Sequence, residues 1–106
     1  MKNITAKELY RKINEEGKLV ILDIRDKEDY DGGHIKNAII MAQNEVVDEI
    51  EDIAPEKDTP ICVYCYSGNR SSRVAMILEY LGYTDIYNLG GIDKWTYELI
   101  KEEIND

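Results

Sequence analysis

The chain has few of the residues that build disulfide frameworks and metal sites. Its 106 residues include two cysteines, Cys62 and Cys65, and one histidine, His34. Two cysteines three positions apart do not make a disulfide framework, so a reducing compartment, the cytoplasm, is the expected location. A metal site needs about four ligands, and these three side chains leave the set incomplete, so no metal is expected.

Long apolar runs and positive charge are also scarce. No apolar stretch approaches the roughly 20 residues of a transmembrane helix, and residues 1–5 lack the apolar core of a signal peptide. Lysine and arginine number 13 against 22 aspartates and glutamates, which gives a formal net charge of −9. This charge argues against nucleic acid and anionic membrane as partners. The length and a hydrophobic fraction of 43% suit one domain over residues 1–106.

Helix and strand patterns alternate along the chain. Thr5 with Glu8 forms a capping-box signal for a helix that reaches Gly17. Short apolar runs predict strands at 19–22, 38–41 and 61–64, and the segment 85–89 is interpreted as a last strand. Helical spacing predicts helices at 44–53, after the loop at 65–71, and at 92–104. Continuous apolar runs are typical of strands buried on both faces, so we expect an α/β fold with a mostly parallel central sheet and helices on both faces.

The stretch from Pro60 to Leu81 is where chemistry is expected. A strand ends just before Cys65, a loop of small and polar residues begins there, and a helix then runs to Leu81, with Gly82 as its stop. A loop that leads from the carboxyl end of a strand into a helix directs several backbone N–H groups at one point, and the helix dipole adds positive charge there. Together with the Arg70 guanidinium, these donors would lower the pKa of Cys65 and favour the reactive thiolate.

Three motifs in order resemble the rhodanese (sulfurtransferase) family. They are CYSGNRS at 65–71, the LDIR, EDY and GHI segments within 22–38, and YNLGGI at 87–92 followed by Trp95. The resemblance implies a rhodanese-like fold and a catalytic Cys65. It also implies that the loop binds the substrate, through Tyr66, Ser67, Gly68, Asn69, Arg70 and Ser71. The chain departs from the family pattern at Lys36 and Asn37, where Pro-Gly is usual, and this alters a turn outside the loop.

The resemblance also implies the reaction. Cys65 would take the outer sulfur of a donor such as thiosulfate, become a persulfide, and pass the sulfur to cyanide or a thiol. A protein that donates or accepts sulfur is a further class of partner that stays open. No cofactor is implied.

Other functions stay open at this point. A protein persulfide carrier would share the site but turn over thiosulfate poorly. Phosphatases and arsenate reductases of related fold also use a cysteine-to-arginine loop, but theirs is one residue longer, and the narrower ring here suits one sulfur better than a tetrahedral oxyanion. A non-catalytic interaction module is a third alternative, against which the intact Cys65 argues.

Four further residues have a structural and a functional interpretation. Cys62 could form a redox dithiol with Cys65, but it lies inside a strand, and we expect it in the core. His34 could pair with Cys65, but a hydrogen bond to nearby backbone is favoured. Asp23 and Arg25 end a strand where sites form. A structural ion pair that holds neighbouring loops is the favoured interpretation.

Overall fold

The computed structural model describes residues 1–15 and 17–101. Its strands are β1 (Lys2–Asn3), β2 (Val20–Asp23), β3 (Ala38–Ile40), β4 (Ile61–Cys65) and β5 (Ile86–Gly91). Its helices are α1 (Ala6–Glu15), α2 (Lys27–Gly32), α3 (Val46–Ile53) and α4 (Asn69–Tyr80), and short 3-10 turns span Gln43–Glu45 and Ile92–Lys94. No helix within the described residues is both long and apolar enough to cross a bilayer.

The strands form one parallel sheet in the order β1-β5-β4-β2-β3. The predicted α/β fold with a parallel sheet is therefore confirmed. From β2 the chain moves outward to β3, and from β4 it moves the opposite way to β5, so the strand order reverses between β2 and β4. In open α/β sheets, ligands bind at such a reversal, outside the carboxyl ends of the strands. Cys65 is the last residue of β4 and lies at this edge.

Successive residues of β4 enter different cores, because side chains alternate between the faces of a strand. Ile61, Val63 and Cys65 join the core that α3 and α4 cover. Cys62 and Tyr64 join the opposite core, to which α1 contributes Leu9 and against which Tyr30 of α2 packs. All five residues of β4 are buried, as the continuous apolar run predicts.

The helix boundaries follow the local sequence signals. Thr5 and Glu8 form the predicted capping box: the Thr5 N–H donates to Glu8 Oε1 at 3.0 Å, and the Glu8 N–H donates to Thr5 Oγ1 at 3.1 Å. Helix α4 stops where Gly82 takes a φ of +99° and donates its N–H to the Glu79 carbonyl at 3.0 Å. A left-handed glycine just past the last turn is a common helix end.

The predicted helix at 92–104 is wrong within the described residues. Only the turn Ile92–Lys94 is helical, and Ile100 instead forms an antiparallel bridge with His34. The Trp95 ring enters the α1-side core, its Nε1 donates to the Glu98 carbonyl at 3.1 Å, and Tyr97 stacks on Tyr10 with centroids 4.2 Å apart. These contacts override the apolar spacing. Residues 102–104 of that prediction lie outside the described residues.

Strand β5 extends past the predicted end at residue 89 and includes Gly90 and Gly91. Both glycines remain in the strand, paired with Tyr64 and Cys65 of β4. The pairing slips by one residue at Leu89, and Gly90 has a φ of +92°. A β-bulge of this kind redirects a strand beside a site.

Candidate active site

Cys65 lies under a ring of hydrogen-bond donors at the carboxyl end of β4. Its Sγ accepts the N–H of Gly68 at 2.9 Å and the N–H of Ser71 at 3.4 Å. Its thiol donates to Ser71 Oγ at 3.5 Å, and the Ser71 hydroxyl donates to the Gly68 carbonyl at 3.1 Å. When the thiol loses its proton, the same hydroxyl can turn and donate to the sulfur. The site is built to hold a negative charge at this atom.

The hydrogen bonds to the sulfur favour the thiolate. Burial alone raises the pKa of Cys65, whose residue is 1% exposed. The hydrogen bonds outweigh burial, so the net pKa lies below the ordinary value. In decreasing order they come from the Ser71 hydroxyl and from the backbone N–H groups of Ser71, Gly68 and Arg70. The expected low-pKa thiol is thus present, with backbone and hydroxyl donors as its cause.

Two glycines allow the loop to approach β5. Gly68 has a φ of +98°, a left-handed conformation that side chains disfavour, and it is the residue from which α4 begins. A Cβ added to Gly91 would lie 2.7 Å from the carbonyl oxygen of Tyr66, so a larger residue there would push the loop away. Gly91 therefore makes room for the loop by its lack of a side chain, whereas a Cβ on Gly90 would meet the Lys94 side chain.

The remaining loop residues face outward. Tyr66, Ser67 and Asn69 are exposed, and none of the three makes a hydrogen bond to the sulfur of Cys65. Tyr66 is 66% exposed beside the mouth of the site. The structure thus places Gly68, Arg70 and Ser71 around the sulfur through their backbone, and the other three at the rim.

The Arg70 guanidinium points away from the sulfur. Its Nη1 lies 3.4 Å from the Ile24 carbonyl and 3.4 Å from Asp26 Oδ1. We expected this side chain to help lower the pKa of Cys65, but only its backbone N–H is among the causes. The guanidinium therefore contacts Ile24 and Asp26 and not the sulfur.

A buried polar network beneath the loop ties the strand ends together. Arg25 Nη2 donates to Asp23 Oδ2 and to the Gly33 carbonyl, both at 2.7 Å, which confirms the structural ion pair expected of these residues. Tyr64 donates to the same Asp23 oxygen at 2.6 Å and accepts the Ile35 N–H at 3.1 Å. Burial and the Asp23 carboxylate raise the pKa of Tyr64, which keeps its proton in place for this bond.

Tyr64 is the residue of this network that sequence reasoning missed. A tyrosine inside an apolar strand needs a partner for its hydroxyl. Asp23 and Arg25, at the carboxyl end of β2, are the nearest predicted source of that partner. The sequence therefore contained the information needed to predict this hydrogen bond.

Cys62 and His34 are structural residues. Cys62 is buried in the core on the face of the sheet opposite Cys65, so the two cannot form a dithiol pair. Burial raises the pKa of Cys62 to about 12, which makes its thiol inert. His34 Nδ1 lies 2.9 Å from the Tyr30 carbonyl, and its ring stacks on the Tyr30 ring. Among the described residues, no group of three or more side chains is arranged to hold a metal.

Comparison with known proteins identifies the family. The rhodanese-like domain family matches residues 5–98. The chain belongs to the rhodanese-like family. Thiosulfate sulfurtransferase GlpE of Pseudomonas paraeruginosa is 38% identical over 91 residues, which cover 85% of this chain and 80% of that protein.

Solved structures agree with this assignment. A rhodanese-like domain protein from Staphylococcus aureus matches with a TM-score of 0.82 and 31% identity, over 97% of this chain and 100% of that one. A rhodanese from E. coli, solved with anions, matches with a TM-score of 0.74 and 31% identity, over 78% of this chain and 98% of that one. The predicted family and the predicted sulfurtransferase class are confirmed by these relatives.

Proposed function

We propose that Cys65 of this rhodanese-like protein carries sulfur as a persulfide between a thiosulfate-like donor and a thiophilic acceptor. The observation that carries the proposal is the convergence of the Gly68 and Ser71 N–H groups and the Ser71 hydroxyl on one sulfur atom. These donors favour the thiolate before reaction, and the thiolate is the form of cysteine that attacks.

In the first half-reaction, the Cys65 thiolate attacks the outer sulfur of thiosulfate. A bond forms between Sγ and that sulfur, the sulfur–sulfur bond of thiosulfate breaks, and its electron pair leaves with sulfite. The protein then holds a persulfide anion and sulfite leaves as a dianion, so the total charge equals that of the thiolate and thiosulfate. The Gly68 and Ser71 N–H groups already face the reacting sulfur, and preorganised donors of this kind stabilise charge as it develops.

In the second half-reaction, cyanide or a thiolate attacks the outer sulfur of the persulfide. The bond between Sγ and the outer sulfur breaks, and its electron pair returns to Cys65 as the thiolate. The product is thiocyanate or an acceptor persulfide, and the kinetics are ping-pong. A protein could supply or accept the sulfur at the same rim. Because the cycle requires a reduced thiol, we propose a reducing compartment, the cytoplasm, as its location.

Intact mass spectrometry after incubation with thiosulfate tests this function. We expect the protein to gain the mass of one sulfur atom and to lose it on addition of cyanide, with thiocyanate as the product. Cys65→Ser should show neither step. Cys62→Ala, which changes a thiol on the opposite face of the sheet, should keep both. An adduct that persists in Cys65→Ser, or no adduct on the unchanged protein, would overturn the proposal.

A further inference from the structure

Asp26 occupies the N-cap position of α2 without capping the helix. An aspartate at this position usually accepts a backbone N–H of the first turn, which stabilises the helix. Asp26 has the extended backbone of an N-cap residue, with φ −70° and ψ 155°, yet its side chain makes no capping hydrogen bond. Its Oδ1 lies instead 3.4 Å from Arg70 Nη1. The carboxylate is directed at the Cys65 loop.

The contact between Asp26 and Arg70 is loose enough to be exchanged. Charge-assisted hydrogen bonds are usually about 2.7–2.9 Å long, whereas Arg70 Nη1 lies 3.4 Å from both Asp26 Oδ1 and the Ile24 carbonyl. The side chains of Arg70 and Asp26 are 44% and 78% exposed. Within residues 1–15 and 17–101, these two oxygens are the acceptors recorded for the guanidinium. An anion that arrives at the rim can therefore replace the carboxylate.

The negative charge of the protein affects how readily an anionic donor replaces Asp26 at Arg70. The chain carries a net charge of −9, and Arg70 is the one charged residue in the loop at 65–71. A donor such as thiosulfate brings two negative charges to the Arg70 guanidinium, which the Asp26 carboxylate already contacts. Asp26 must therefore oppose a dianion more than a monoanion.

We propose that Asp26 is a positioning and specificity residue, which holds Arg70 beside the site and biases it toward sulfur donors of lower negative charge. The inference rests on the proposed function and deepens it. The favoured donors are monoanions in which the outer sulfur is bonded to an oxygen-bearing sulfonyl group. The sulfonyl oxygens take the guanidinium from Asp26, while the outer sulfur faces the Cys65 thiolate.

Steady-state kinetics with two donors test the proposal. Thiosulfate is a dianion and methanethiosulfonate is a monoanion, and cyanide serves as the acceptor for both. Asp26→Asn should lower the KM for thiosulfate about three- to fivefold, the upper part of the range of an exposed ion pair, with kcat unchanged. The KM for methanethiosulfonate should fall by less. Asp26→Glu should keep the original selectivity.

A double-mutant cycle assigns the effect to Arg70. In the Arg70→Ala background, Asp26→Asn should change the KM for thiosulfate by less than about twofold, because the residue it competes for is gone. Asp29→Asn removes the same charge from an exposed position of the same helix and should leave selectivity unchanged. An equal effect of Asp26→Asn in both backgrounds, or the same gain from Asp29→Asn, would overturn the proposal.

A measurement without turnover separates this proposal from the proposed function. Sulfate should protect Cys65 from iodoacetamide, and Asp26→Asn should make that protection effective at about three- to fivefold lower sulfate concentration. If no persulfide forms, the proposed function fails while this readout still decides whether Asp26 controls anion binding. If a persulfide forms but Asp26→Asn changes neither protection nor KM, the role of Asp26 is excluded and the function remains.

Discussion

The backbone N–H of Gly68 lies 2.9 Å from the sulfur of Cys65, and a left-handed φ of +98° at Gly68 directs it there. A donor from the main chain cannot be removed by exchanging a side chain, so the geometry of the turn controls the thiolate. Substitution of this glycine tests that control.

Gly68→Ala should destabilise the protein and weaken the site together. A Cβ at this position would lie 3.6 Å from the Gly90 Cα, an ordinary contact, so the cost comes from the positive φ and should be about 1–2 kcal/mol. Relaxation of the turn would move the N–H from the sulfur and raise the pKa of Cys65. Urea unfolding and the pH profile of iodoacetamide alkylation measure the two effects.

Gly17→Ala is the matched control for that substitution. Gly17 has no positive φ, and a Cβ there would meet no atom within 4 Å. Stability and the alkylation profile should both remain as they are in the unchanged protein. If Gly68→Ala behaved in the same way as Gly17→Ala, the turn would not be what positions the donor.

Ser71→Ala should raise the pH at which Cys65 becomes reactive. The hydroxyl of Ser71 is the strongest of the donors that lower the pKa of this thiol. Without it, the remaining hydrogen bonds offset less of the rise in pKa that burial causes. The midpoint pH of iodoacetamide alkylation should then move toward the ordinary thiol value of about 8.5. Ser72→Ala, one residue further along α4, is the control and should not shift the midpoint. An unshifted midpoint in Ser71→Ala would contradict the assignment.

The low pKa of Cys65 also predicts how stability depends on pH. Because the pKa is lower in the folded state, the unfolded state binds more protons at pH values between the folded and unfolded pKa. The free energy of unfolding should rise with pH across that window, and this contribution should vanish as the pH falls through the folded pKa. Cys65→Ser has no thiol to titrate at this position. The difference between its free energy of unfolding in urea and that of the unchanged protein should therefore vary with pH. A constant difference would argue against a depressed pKa.

Much of the fold and the reactive atom could be predicted from the sequence, because both depend on local patterns. Three apolar runs and the segment 85–89 predicted β2 to β5 within two residues at either end, and the strand-loop-helix pattern located Cys65. Strand β1 could not be found, since two exposed residues, Lys2 and Asn3, carry no periodicity. Its pairing with Tyr87 and Asn88 exists only in the folded sheet.

The direction of the Arg70 side chain also could not be predicted from the sequence. The loop predicts where its backbone lies, but Ile24 and Asp26, which meet its guanidinium, are more than forty residues away in the chain. The prediction of a helix at 92–104 was wrong for the same reason, because the contacts of Trp95 and Tyr97 with distant elements outweigh helical spacing. Long-range packing decided each of these cases.

Tyr64→Phe should lower stability by about 1–3 kcal/mol, although Tyr64 does not contact the reacting sulfur. The change leaves the buried Ile35 N–H without its acceptor and removes a 2.6 Å hydrogen bond to Asp23. Urea unfolding measures the loss. Tyr80→Phe, at a residue 91% exposed, is the control and should have no effect. Equal stabilities for the two variants would show that the network beneath the loop contributes nothing.

Arg70→Ala should separate donor binding from thiol activation. The guanidinium contacts Asp26 and Ile24, whereas only the backbone N–H of Arg70, which alanine retains, acts on the sulfur. The alkylation profile of Cys65 should therefore stay unchanged. Loss of a charged hydrogen bond to thiosulfate costs about 1.5–3 kcal/mol, so kcat/KM should fall roughly 10- to 150-fold.

Two further variants decide how the Arg70 side chain acts on thiosulfate. Arg70→Lys should recover only part of kcat/KM, because an ammonium cannot reproduce the planar fork of the guanidinium. Arg73→Ala removes the other arginine of α4, which is exposed and lies outside the loop at 65–71, and should leave kcat/KM within about twofold. Equal losses from Arg70→Ala and Arg73→Ala would mean that α4 attracts the donor by general charge. A shifted alkylation profile in Arg70→Ala would mean that the guanidinium reaches the sulfur after all.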